Sequence, residues 1–92
     1  MPTFTWDPKK AASNRKKHRV GFEEALTTFE DRHAIYDTDE HHPDRGILIG
    51  VSSSLRTLCV VHLKMLDTGQ IRLISARKAT RAEKKRYENN LP

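Results

Sequence analysis

The sequence predicts a small α+β domain, a mostly antiparallel sheet packed with helices in the order β-α-α-β-β-β-β-α. Three observations lead there. Apolar residues Phe22, Ala25, Leu26 and Phe29 recur at helical spacing. From residue 34 onward the apolar residues instead alternate in short runs divided by polar turns, and two hairpin-like connections make most of the pairing antiparallel. Finally, Thr80-Arg81-Ala82-Glu83 matches a capping box and opens one last helix.

Each element has its own signal. Thr3-Phe4-Thr5-Trp6 alternates and reads as a short strand. Asp7-Pro8 then starts a basic helix over 8–18, because Asp accepts from orphan amides and Pro suits the first helical position. Its apolar content, Ala11 and Ala12, allows only a narrow packed stripe, and Val20-Gly21 breaks it. The second helix, over 22–30, carries Glu23 and Glu24 in its first turn, at the positive end of its dipole. Ala34-Ile35-Tyr36 reads as a strand and Asp37 to Arg45 as a polar loop. Ile47, Ile49 and Val51 mark the next strand, and Ser52-Ser53-Ser54 turns the chain. Arg56 to Met65 is the longest strand. Leu66-Asp67-Thr68-Gly69 is a hairpin turn, with Gly where positive φ is required. Gln70 to Ala76 pairs back, and the final helix covers 81–89.

Composition narrows the function. All 92 residues make one domain with a thin core. No apolar run approaches membrane-span length, and Met1-Pro2-Thr3-Phe4 shows no secretory pattern. The single cysteine, Cys59, fits a reducing cytoplasm and a core position. Net charge is +5 and the sequence pI about 9.7. The charge is segregated. Residues 9–19 hold six Lys or Arg, Lys10 and Lys17 among them, with no acid. Residues 77–86 hold six more, including Arg81 and Lys84, against Glu83 alone. Eight of the twelve acids fall between Glu23 and Asp44. This reads either as two basic surfaces for a polyanion with an acidic region elsewhere, or as ordinary solvated helix faces.

The stretch from Ile71 to Arg81 carries the chemical signal: a strand bearing Arg72, a second arginine, Arg77, at its end, then a helix start. Arginine is a permanent cation whose planar donor fork suits phosphate. In the preceding strand, Cys59, Val61, Leu63 and Met65 share a uniformly apolar face expected to meet the helices. That leaves His62 and Lys64 on the open face, where hairpin pairing brings them beside Arg72. Strict alternation places Arg77 on the Ile71 side, so a bend or bulge is needed to swing it outward. RNA cleavage by the 2′-hydroxyl needs a base, an acid and cations on the phosphate. His62 suits either proton role, or is a half-buried strand histidine. Arg72 and Arg77 suit the phosphate, and Lys64, Lys10, Lys17, Arg81 and Lys84 the RNA backbone. Tyr87 suits base stacking or proton donation. His41-His42 with Asp37, Asp39 and Asp44 reads as a solvated loop rather than a metal site, and no cofactor is expected.

The ordered set Phe4-Thr5-Trp6-Asp7, Lys10, Asn14, Lys17-His18, Val20 and Phe22-Glu23-Glu24-Ala25 resembles the opening of the BrnT toxins. So do Arg45, Ile49-Gly50, Val60-Val61-His62, Arg72 to Arg77, Ala79, Glu83 and Tyr87. The resemblance implies a RelE-like fold and a metal-independent endoribonuclease that inhibits translation, its RNA free or ribosome-associated. It also implies a BrnA-like antitoxin with a ribbon-helix-helix part, and operator DNA bound by the joint complex. The basic surface implies that the antitoxin's contacting segment is acidic. Arg72, Arg77, Tyr87 and His62 match family positions. Lys64 lies where the sequence departs from the family pattern, so its place rests on charge and strand face alone. The rival reading is a non-catalytic nucleic-acid-binding module, or an inactive toxin that serves as antitoxin partner and co-repressor.

Overall fold

The computed structural model describes residues 3–65 and 68–92. Its elements follow the expected order: β1 (Thr3–Thr5), α1 (Pro8–His18), α2 (Phe22–Thr27) continued by a 3-10 turn (Thr28–Glu30), β2 (Ile35–Thr38), β3 (Arg45–Val51), β4 (Thr57–Met65), β5 (Gln70–Lys78) and α3 (Arg81–Asn89). The five strands form one sheet in the order β1-β5-β4-β3-β2. β2 to β5 pair antiparallel, and β1 adds to β5 in parallel. Part of the expected β4–β5 turn, Leu66 and Asp67, lies outside the described residues; Gly69 has the expected positive φ, 71°.

Both helix starts form as their residues dictate. The Asp7 carboxylate accepts from the Lys9 amide at 2.8 Å. Thr80 and Glu83 cap each other reciprocally, Thr80 N to Glu83 Oε1 at 2.8 Å and Glu83 N to Thr80 Oγ1 at 3.2 Å. The core lies between the sheet and α1–α2, where Val20, Phe22, Ala25, Leu48, Leu58, Val60, Leu73 and Ala76 are buried together. α3 packs against β3 on the opposite face of the sheet.

That two-sided cover overturns the face assignment of β4. The face toward α1 and α2 is Leu58, Val60 and His62, all fully buried, and not the uniformly apolar set Cys59, Val61 and Leu63. The apolar set faces the α3 side, where Cys59 pairs with Arg77 and Leu63 with Arg72. With helices on both sides, each face can be apolar and alternation alone does not say which is inner. A histidine is tolerated inside because its ring meets Phe29 edge-on, centroids 4.9 Å apart, and because position 46 is glycine. A Cβ there would lie 2.6 Å from His62 Nε2.

The parity problem of Arg77 is solved within β5. Val61 pairs with Ser75 but His62 pairs with Leu73, so Ile74 is an extra residue in the ladder. A bulge resets the alternation. Below it, Leu73 and Ile71 face the core and Arg72 faces the α3 side. Above it, Ala76 faces the core and Arg77 faces the α3 side. Without the bulge the two arginines would lie on opposite faces.

β1 reaches only residues 70–72 of β5, so the rest of that edge is open to α1. Asn14, buried on α1, fills the gap. Its Nδ2 donates to the carbonyls of Ala76 (2.8 Å) and Val20 (3.0 Å), and its Oδ1 accepts from the Ala76 amide (3.1 Å). One side chain thus replaces a strand's hydrogen bonds beside the bulge. No helix among the described residues is long and apolar enough to cross a membrane.

Candidate RNA-cleaving face

Arg72 is half-buried on the α3 side and has no hydrogen bond or ion pair among the described residues. Neither neighbouring strand contains an acid to neutralise it. Arg77 is held differently. Its guanidinium makes a two-pronged pair with Glu83, Nη1 to Oε1 at 2.7 Å and Nη2 to Oε2 at 2.9 Å. Arg77 drives the Glu83 carboxyl down to about 2, against the opposing effect of burial. The capping acid of α3 therefore also sets the orientation of Arg77, a double duty the sequence showed only as a cap. Because Ile74 is bulged, Arg72 and Arg77 sit opposite Leu63 and Cys59, four residues apart on β4, or roughly 13 Å at strand rise. Arg72 and Arg77 are thus placed for neighbouring phosphates of a chain rather than as a clamp on one.

The other expected residues divide. Lys10 and Lys17 do approach β5. With His18, Ser13 and Asn14 they line a cleft of about 230 Å³ over the bulge residues Ile74 and Ser75. Arg81 and Lys84 are exposed on α3, and Lys84 lines a shallow cleft with Lys78 and Arg56. His62 and Lys64 do not join the arginines. They line a separate cleft with Tyr36, Arg45 and Gly46. Burial lowers the His62 pKa, so it stays neutral at pH 7.

Tyr87 is withdrawn as well. It is 6% exposed, and its hydroxyl donates to Asp31 Oδ2 at 2.6 Å. Burial and that carboxylate push its pKa up to about 12, so it holds α3 to the sheet and is not free to meet a base. Burial alone would raise Asp31, but Tyr87 and the amides of Val51 and His33 outweigh it and hold the carboxyl below its ordinary value. Cys59 is a core residue as expected, its thiol raised to about 11 by burial despite Arg77 nearby.

The acidic region is not a separate surface. Three of its members are partners of basic or phenolic groups brought from elsewhere: Glu24 pairs with Arg56, Asp31 with Tyr87 and Asp37 with Arg86. Sequence spacing gave no sign of these pairs, since the partners lie 32, 56 and 49 residues apart. The role of Asn14, named only in the family resemblance, and Asp31 itself went unread for the same reason.

Over residues 6–83 the sequence matches the family described as the ribonuclease toxin, BrnT, of type II toxin–antitoxin systems. The chain belongs to the BrnT family. The resemblance read from the ordered residues is thereby borne out. The crystal structure of the Brucella abortus ribonuclease toxin BrnT is similar, with a TM-score of 0.70 and 21% identity. The match covers 88% of this chain and 100% of that one, and at this identity it speaks for the fold. No curated protein matches the sequence. As a BrnT-family member the chain is a ribonuclease toxin, with RNA as its substrate and an antitoxin as its partner.

Proposed function

We propose that this BrnT-family toxin cuts RNA without a metal ion, on the sheet face that carries Arg72 and Arg77. The observation that carries this reading is the bulge at Ile74, which sets both arginines on one face. Among the described residues no three His, Cys, Asp or Glu are grouped to hold an ion, so the reading rests phosphate charge on arginine. The 2′-oxygen attacks the adjacent phosphorus and the bond from phosphorus to the 5′-oxygen breaks. The products are a 2′,3′-cyclic phosphate and a 5′-hydroxyl. Arg72, free of any acid, stabilises the negative charge that builds on the oxygens of the reacting phosphate, while Arg77, oriented by Glu83, holds the neighbouring phosphate and so keeps the chain in place. With His62 walled in and Tyr87 bonded to Asp31, solvent carries the proton from the 2′-hydroxyl to the departing 5′-oxygen. Lys10 and Lys17 beside the bulge, with Arg81 and Lys84 on α3, extend the positive track along the RNA.

In the cell this cleavage halts translation in the cytoplasm. The antitoxin is BrnA-like. An acidic segment covers the basic face, and a ribbon-helix-helix part carries the pair to operator DNA. A second reading, binding without cleavage, draws on the same withdrawal of His62 and Tyr87 from the arginines. Purified protein with total RNA and EDTA separates the two. Fragments ending in cyclic phosphate support the enzyme, and binding without fragments supports the module. Arg72→Ala and Arg77→Ala should each lower the cleavage rate by about 100-fold, the usual scale for losing one charge-stabilising contact. Full activity of the folded double variant would refute the assignment.

A further inference from the structure

His62 is a conspicuous residue for a small core. It is 0% exposed, and its Nε2 is the buried side-chain polar atom without a hydrogen-bond partner among the described residues. A buried donor or acceptor left unpaired is costly, and such groups in folded proteins commonly mark a ligand or solvent position. The Nδ1 atom faces the Val60 carbonyl oxygen at 3.4 Å, which favours the tautomer with hydrogen on Nδ1. Nε2 is then a free acceptor.

Fully covered as it is, His62 borders open space. It lines the inner wall of a cleft of about 360 Å³ on the face of the sheet opposite Arg72 and Arg77. Gly46 pairs with His62 across β3 and β4 and offers no side chain to cover the ring. Any Cβ there would collide with it. Tyr36 stands at the cleft, 51% exposed, an aromatic face on the open side of an edge strand. Lys64, two residues along β4 on the His62 face, and Arg45, which pairs with Leu63 and reaches the cleft from the other face at the end of β3, add two cations with no ion pair among the described residues. Asp44 adds one exposed acceptor at the rim, while the lining Asp37 is already bonded to Arg86. An aromatic platform, cations at the rim and a recessed acceptor are the elements that bind single nucleotides of unpaired RNA. The volume lies in the range of small-ligand sites.

We propose that this cleft holds one nucleotide of the RNA, its base stacked on Tyr36 and its flanking phosphate drawn by Arg45 and Lys64. A base N–H donor meets Nε2 after a small rotation of the His62 ring. The inference rests on RNA being the substrate but not on Arg72 and Arg77 being the cutting residues. It makes the toxin two-sided, with cleavage on one face of the sheet and base selection around its edge.

The test uses the full chain with ¹⁵N-labelled histidine. Guanosine 5′-monophosphate, whose base presents adjacent N–H donors, should shift the His62 Nε2 resonance saturably, whereas ribose 5-phosphate should not. Tyr36→Ala, an exposed position that leaves the core intact, should weaken nucleotide binding about tenfold. In cleavage assays it should raise KM by a similar factor with kcat little changed. An unmoved Nε2 resonance, or equal shifts from both probes, would overturn the proposal. So would unchanged KM in the Tyr36→Ala, Lys64→Ala double variant. Loss of cleavage in Arg72→Ala alongside such null results would sink the cleft and leave the cutting face standing.

Discussion

Replacing Asn14 by alanine tests how the arginine-bearing strand is held. The side chain makes three hydrogen bonds to backbone groups of Ala76 and Val20, all buried. Removing it forfeits those bonds, each worth about 1 kcal/mol net, and leaves three backbone groups seeking partners. Complete burial of the orphans would add about 1–3 kcal/mol apiece. The cleft beside Asn14 admits water to part of this edge, which moderates the cost. The balance is a loss of about 3–4 kcal/mol. A chain of 92 residues has about 5–14 kcal/mol to lose at the usual 0.05–0.15 per residue, so the variant should fold but only marginally. In urea, with a slope of roughly 1–1.5 kcal/mol/M, the midpoint should fall by roughly 2–4 M. Asn14→Asp keeps the shape and the acceptor but sets a carboxylate against the carbonyls of Val20 and Ala76. It should be at least as destabilising at pH 7 and recover partly in acid. A midpoint shift under about 0.5 M for Asn14→Ala, with unchanged slope, would refute the account of Asn14 as a substitute strand.

Two further outcomes are expected. Tyr87→Phe removes the hydroxyl bonded to Asp31, whose carboxylate keeps the Val51 and His33 amides. The loss should be about 1.5–2 kcal/mol in thermal or urea unfolding, typical of a hydrogen bond to a charged group, with RNA cleavage at 25 °C nearly unchanged. A folded Tyr87→Phe without activity would return that residue to the reaction. For His62, burial lowers the folded pKa below the ordinary 6.5, so the unfolded chain binds the proton more readily. Stability should be flat in this respect above about pH 6.5, then fall by up to about 1.4 kcal/mol per unit as pH drops toward the folded pKa. Below about pH 4.5 a separate loss begins as Glu83, held near 2 by Arg77, is challenged by protons. Urea midpoints measured from pH 8 to 5 should show the His62 slope, and His62→Gln should abolish it. A wild-type profile level across that range would contradict the buried neutral imidazole.

Much was legible before the fold. The helix over 8–18, its Asp7-Pro8 start and the capping box at Thr80 are local, set by side chains bonding backbone two or three residues away. So were the strand order along the chain and the need for a bulge to rescue Arg77. The candidate site was legible in its arginines, because a cation in a strand without neighbouring acids is visible in one dimension. His62 and Tyr87 misled for a common reason. Each is a polar-tipped side chain in an amphipathic element, and what decides whether the tip meets solvent or a buried partner lies far along the chain. For Tyr87 that partner is Asp31. For His62 it is the cover of Phe29 and the bare backbone at Gly46.

By itself, then, the sequence determined a basic α+β domain with two arginines on its penultimate element, since propensity, capping and charge act over a few residues. Only the tertiary structure decided which face is which. The sheet is covered on both sides, so the apolar pattern does not pick an inner face. One extra residue, Ile74, reverses the alternation with no glycine or proline to announce it. That reversal sets Arg72 and Arg77 on a common face and His62 on the other.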